Sequence, residues 1–175
     1  MKKLFMTLAA AFVAVSMSAQ VYVGGGVGFQ STSHDGDSES FFTVVPEIGY
    51  SLDNNCAVGI TLGYTNYKNE DTRFAIAPYY RYGFAQLGKV NFFVDGTVYF
   101  EQYKDKSADL KTNTFGVGLK PGASVNVSDK LTLATHFGFL GYENEKDDVD
   151  GAKAYNTFGF NFSSFNLGLS LYYNF

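Results

Sequence analysis

From Val21 to Phe175 the apolar residues of this chain recur at every second position, in runs broken by short polar punctuation. Period-two alternation puts the apolar side chains of a run on one face of a β-strand, whereas a helix would space them three and four apart. The pattern predicts eight strands, at Val21 to Ser31, Phe41 to Leu52, Cys56 to Tyr67, Arg73 to Phe84, Val90 to Gln102, Thr114 to Val127, Leu131 to Tyr142 and Phe158 to Phe175. The connections between them alternate in character. Asp53-Asn54-Asn55, Ala85 to Lys89 and Ser128-Asp129-Lys130 are short turns, while Thr32 to Ser40, Lys68 to Thr72, Tyr103 to Asn113 and Glu143 to Tyr155 are mostly longer and charged. Short turns at one end and long loops at the other predict an antiparallel up-and-down meander, with both ends of the folded part on the short-turn side. Pro46, Pro78 and Pro121 fall at equivalent depth in the even-numbered strands. Proline lacks a ladder donor, so all three are expected at bulges that help the sheet curve and close.

The next question is what the apolar face touches. Val58, Ile60, Leu62 and Tyr64 alternate with Ala57, Gly59, Thr61, Gly63 and Thr65, and the fourth and fifth strands repeat the contrast. In a soluble sandwich the second face would meet water and carry many charges. Here it is small and nearly uncharged, which suits a tight interior, and the apolar face is then left for lipid. The charges that do fall within strands, Glu47, Arg81, Asp95, Glu101 and Lys120, all have the interior parity, as does His136. Together they are the candidate lumen charge network. Tyrosines near strand ends, among them Tyr50, Tyr64, Tyr82 and Tyr173, fit an interfacial girdle. The expected fold is therefore an eight-stranded antiparallel transmembrane β-barrel occupying residues 20–175.

The front of the chain agrees with export. MKKLFMTLAAAFVAVSMSAQ has a basic start, an apolar run too short to span a bilayer and small residues before Gln20, the pattern of a signal peptide over residues 1–19. Cleavage after Ser18 is the alternative to cleavage after Ala19. Without Lys2 and Lys3 the 13 basic residues fall to 11 against 17 acidic ones, a net charge near −6. An acidic chain with no basic stripe is a poor nucleic-acid binder. The single cysteine, Cys56, excludes an internal disulfide and reads as a small filler.

The end of the chain is the most specific feature. Leu167, Leu169, Leu171, Tyr173 and Phe175 alternate up to the last residue, so the final strand keeps its full amplitude and is expected to close against the first. This end, with the hairpin PEIGYSLDNNCAVGI, resembles the small eight-stranded outer-membrane barrels of Gram-negative bacteria, the OmpX and OmpA membrane-domain type often labelled porin family. The resemblance implies an outer-membrane location, the C-terminal residues as the signal read by the barrel assembly machinery, and a monomer contacting outer-membrane lipid and lipopolysaccharide.

Three chemistries can be weighed. The interior charges could line an ion path, but eight strands enclose a space that side chains fill, and Tyr79, Phe93 and Tyr99 also point inward, so mutually satisfied buried charge is expected. The acidic stretches HDGDSES and ENEKDDVDGAK lack the spacing of a calcium loop and read as solvated charge, with divalent bridging to lipopolysaccharide a remaining option; no metal or cofactor is expected. Some eight-stranded barrels that modify lipid A use a His-x-Ser pair. Here His34 precedes Asp35-Gly36 and His136 precedes Phe137-Gly138, so a non-enzymatic role is expected: structural, adhesive or ligand-binding through the loops, with a narrow channel as the alternative.

Overall fold

The computed structural model describes residues 20–34, 37–67, 71–106, 110–149, 151–162 and 168–175, so the leader at 1–19 lies outside the described residues. Ten strand segments follow in order: β1 (Val21–His34), β2 (Asp37–Ser51), β3 (Cys56–Tyr67), β4 (Thr72–Leu87), β5 (Val90–Asp105), β6 (Leu110–Asn126), β7 (Leu131–His136), β8 (Gly138–Asp147), β9 (Tyr155–Phe162) and β10 (Gly168–Asn174). Each pairs antiparallel with its neighbours. β7 and β8 lie end to end along β6, and β9 and β10 lie along β8 and β7, so the ten segments make eight staves. β10 pairs with β1 through Tyr22↔Asn174 to Gly25↔Leu171, which closes the barrel. The Phe175 N–H donates to the Val21 carbonyl at 3.1 Å, and the Ser51 N–H to the Gln20 carbonyl at 2.7 Å, so both ends sit on the short-turn side.

The alternation sets the two faces as expected. Val58, Leu62, Tyr64, Phe74, Tyr80 and Tyr82 are each 38–48% exposed, while the intervening Ala57 and Tyr79 are 8% exposed. An apolar belt thus covers the outside and a thin core fills the inside. Among strand residues whose side chains are described, charges with outward parity occur only toward the long-loop end, at Lys104, Lys111 and Lys146. β4, β5 and β6 contain 16, 16 and 17 residues, well over the roughly 9–11 a tilted strand needs to cross hydrocarbon. The excess corrects the loop boundaries drawn above: β5 runs to Asp105 and β8 to Asp147, so much of the charged sequence between strands is itself strand. β4 likewise continues to Leu87, which shortens the next turn to Gly88-Lys89, with Gly88 at a φ of +61° that favours glycine.

The prolines need a second correction. Only Pro121 faces a bulge: Gly122 pairs with His136 and Leu119 with Leu140, so residues 137–139 oppose 120 and 121. The Phe137 N–H donates to the Pro121 carbonyl at 3.0 Å. Across Pro46 and Pro78 the register does not change; the missing donor merely leaves a gap in one ladder. The other shift lies between Gly83 and Ala85. The bulge at Phe137 also explains why the last stave exposes Phe158 and Phe160 at even positions but Leu169 and Leu171 at odd ones. It turns Leu140 and Tyr142 outward in step with Leu131 and Leu133, and their partners Phe160 and Phe158 are exposed alongside Leu169 and Leu171. The change from even to odd positions within that stave falls outside the described residues.

At the first short turn the Asp53 carboxylate accepts the N–H groups of Asn55 and Cys56, each at 2.7 Å. Those backbone donors hold its pKa below the ordinary 3.8. A carboxylate lowered on folding adds stability that is present above its unfolded pKa and lost as pH falls through the folded value. The Asn55 and Cys56 amide resonances are therefore expected to titrate together with a midpoint below 3.8, and to lose that titration in Asp53→Ala.

Candidate functional site

The interior charges form one cluster and two outliers. β4 and β5 place Arg81 opposite Asp95 in register, and the guanidinium grips that carboxylate with two bonds, Nε to Oδ1 and Nη2 to Oδ2, both 2.8 Å. On the other side Arg81 Nη2 lies 3.5 Å from Glu47 Oε1, so one cation serves two carboxylates. His136 Nε2 lies 2.8 Å from Asp95 Oδ2. Glu101 and Lys120 share the interior parity but stand apart. Glu101 pairs with Arg73 at 3.3 Å toward the long-loop end. Lys120 is the direct cross-strand partner of Asp95, yet among the described residues its ammonium meets no carboxylate at ion-pair distance and lies 5.4 Å from the Tyr99 ring centre.

Tyrosines complete the cluster. The Tyr79 hydroxyl donates to Glu47 Oε1 at 2.5 Å, the Tyr172 hydroxyl donates to Oε2 at 3.1 Å, and Tyr22 and Tyr79 share a bond of 2.6 Å between their hydroxyls. Thr61 adds a long contact of 3.4 Å to Oε2. The Arg81 guanidinium lies 4.2 Å from the centre of Phe93, with Tyr79 and Tyr172 at 5.1 and 5.6 Å. Tyr22, Tyr79, Phe93 and Tyr172 are 2–8% exposed, and with the Glu47, Arg81 and Asp95 group they fill the barrel's cross-section as a plug.

The rings fit because the neighbouring strands give way to them. A Cβ added at Gly49 would stand 2.1 Å from the Tyr22 ring, and one at Gly59 would stand 2.3 Å from the Tyr79 hydroxyl. A larger residue at either position would displace a plug tyrosine. This glycine-beside-aromatic relation across a strand pair is the signal that could have found Tyr22 and Tyr172, which parity alone did not single out.

Above the plug, on the long-loop side, lies a cavity of about 660 Å³. Its lining includes Glu47, Tyr79, Asp95, Thr97, Lys120 and His136, but not Arg81 or Phe93, which lie beneath. Open space thus lies toward the long-loop end, and the packed rings and ion pairs lie beneath it. Glu143, expected in a solvated loop, instead has the interior parity of β8, and its carboxylate accepts the Tyr99 hydroxyl. Among the described residues no cluster of three or more His, Cys, Asp or Glu is arranged to hold a metal. Asp35 lies outside the described residues. Cys56, at the start of β3, is half-buried.

The C-terminal residues present one continuous outer stripe, with Leu169, Leu171 and Tyr173 at 63%, 50% and 39% exposed, while Leu167 lies outside the described residues. Between them Tyr172 turns inward to the plug, so the last stave both closes the wall and seals the interior.

The architecture has a solved counterpart. The crystal structure of neisserial surface protein A superposes with a TM-score of 0.50 at 16% identity, over 90% of this chain and 98% of that one. At that identity the likeness carries the fold: an eight-stranded closed barrel. No family model matches the chain, and no curated protein matches it by sequence.

Proposed function

We propose that the chain is an exported, monomeric integral outer-membrane protein without enzymatic activity, acting in a structural, adhesive or ligand-binding role at its long-loop end. The observation that carries this is the pairing of an uninterrupted apolar belt outside with a fully bonded charged plug inside. A wall of this kind is stable only where lipid covers it, and a plug whose charges satisfy one another leaves no continuous water path. Work at the external face also fits the strand extensions, which the Tyr103 hydroxyl and the Lys106 N–H tie to Asp71 of the neighbouring loop at 2.8 and 3.0 Å. The C-terminal stripe suits recognition by the barrel assembly machinery.

A narrow channel is the second possibility, and the cavity above the plug favours it, because a solute could travel as far as the plug before meeting a barrier. Planar-bilayer recording separates the two. The wild type is expected to give no discrete steps; steady unitary currents that change with Lys120→Gln or Arg81→Lys would establish the channel instead. An adhesive role is tested by shortening the 148–153 turn alone, because Glu143 to Asp147 belong to the wall. Partner binding should fall while cold and boiled samples still migrate differently on a denaturing gel.

A further inference from the structure

The outer wall carries a second cleft, of about 490 Å³, where β5, β6 and β8 leave the apolar belt. Its floor is Phe100 and Phe115, cross-strand partners that are 42% and 46% exposed. Its rim is Asn113, Asn144, Lys146 and Asp148. The register explains the assembly: Phe115 pairs with Asn144, and one step further out Asn113 pairs with both Gln102 and Lys146. A row of exposed aromatic rings therefore gives way, within one repeat of the pleat, to a row of amides and one ammonium. The turn after β8 is anchored by the Asp148 N–H on the Lys111 carbonyl at 2.7 Å and forms the far wall.

The amides are poised outward. Asn113 Oδ1 accepts from Gln102 Nε2 at 2.9 Å, and among the described residues the Asn113 NH₂ group has no partner. Asn144 Nδ2 donates to Asn156 Oδ1 at 2.5 Å, which leaves the Asn144 oxygen as an acceptor. With Lys146 as a donor and the Asp148 carboxylate as an acceptor, the rim alternates the two roles. Hydroxyl groups, which both donate and accept, match such a rim. A bare phosphate matches the cleft itself less well, because Lys146 is the one ammonium in its lining and Asp147 and Asp148 offset it, while Lys104 and Lys111 stand one repeat further out. Below the rim the floor runs without a break into Val98, Val117 and Leu119 of the lipid-facing belt.

We propose that this cleft holds the saccharide headgroup of a membrane glycolipid, its sugar ring laid on Phe100 and Phe115, its hydroxyls on Asn113, Asn144 and Asp148, and its acyl chains along the belt below. The inference rests on the membrane location proposed above and adds a defined ligand class to it. Aromatic faces with a few convergent polar groups form the usual chemistry of a selective small-molecule site.

The test uses the full folded chain in vesicles of phosphatidylethanolamine containing either lipopolysaccharide or phosphatidylglycerol, extracted into mild detergent and examined by native mass spectrometry. Wild type should retain one lipopolysaccharide molecule in preference to phosphatidylglycerol. Asn113→Ala with Asn144→Ala should reduce retention about tenfold, the loss expected for two hydrogen bonds to a ligand. Lys146→Gln keeps a donor at the rim while removing its charge, so it should cost clearly less than the double asparagine variant. Equal retention of both lipids, equal retention by the double variant, or a dominant effect of Lys146→Gln would overturn the saccharide assignment. A heat-modifiability gel run on each sample identifies folded barrels, so a chain that never enters vesicles counts against the membrane location, whereas a folded barrel retaining no glycolipid counts against the cleft alone.

Discussion

Replacing Arg81 with alanine is expected to destabilise the folded barrel by about 3–5 kcal/mol, the range for removing one partner of a buried ionic group. Arg81 is bidentate to Asp95 and within 3.5 Å of Glu47, and both carboxylate side chains are 5% exposed. Its loss leaves two buried carboxylates with tyrosine hydroxyls and His136 as their remaining company. The chain has no tryptophan, so the effect is best followed by far-UV circular dichroism or cold-gel mobility against urea in vesicles. Arg81→Met with Asp95→Asn should recover part of the loss, because it neutralises one of the two buried carboxylates while Glu47 keeps only its tyrosine and threonine hydroxyls. A double-mutant cycle between the two sites should show clear coupling, because they share one bidentate contact. An Arg81→Ala barrel as stable as wild type would mean that the cluster is solvated and is not a plug.

The second large effect concerns the outside. Leu119 lies midway along β6, is 46% exposed, and pairs with Leu140 of the neighbouring stave. Leu119→Arg is expected to cost about 2–4 kcal/mol if that surface sits at the bilayer midplane, and Val127→Arg, near the short-turn end, about 0–1 kcal/mol. In a water-soluble barrel the two substitutions would both be nearly silent, because both sites are open to solvent. Comparing urea midpoints for the two variants in vesicles therefore measures the depth dependence and not merely tolerance to charge.

Much of this was legible in the chain before any coordinates. Strand β3 was bounded correctly at both ends because Asn55 and Lys68 flank an unbroken alternation. The two faces followed from parity, since a strand's period of two leaves no intermediate position. What parity could not give was which inward residues meet. Glu47 and Arg81 lie on strands that do not pair with each other, and their contact depends on the closure of the whole barrel. Glu101 and Lys120 carry the same parity yet take other partners, because position along the strand decides as much as face does. Two further misreadings have one origin. Charge reads as loop at Glu143 to Asp147 and Tyr103 to Asp105, where strands extending past the apolar belt are both charged and paired. The Phe137 bulge escapes the sequence for a different reason: Gly138 lies within it, but glycines recur throughout these strands, so the bulge shows only through its pairing against Pro121.

The central claim is that one face of each stave meets lipid while the other encloses a sealed, charged interior. A spin-label scan along β5 from Phe92 to Phe100 tests it most directly, using single-cysteine variants in a Cys56→Ser background and lipid vesicles. Phe92, Val94 and Val98 should be accessible to oxygen dissolved in the bilayer, while Phe93, Asp95, Thr97 and Tyr99 should be protected both from oxygen and from a water-soluble nickel chelate. Strong collisions of the chelate with Val94 and Val98, or a protein that stays soluble without lipid or detergent, would contradict the claim and return the apolar face to a soluble β-structure.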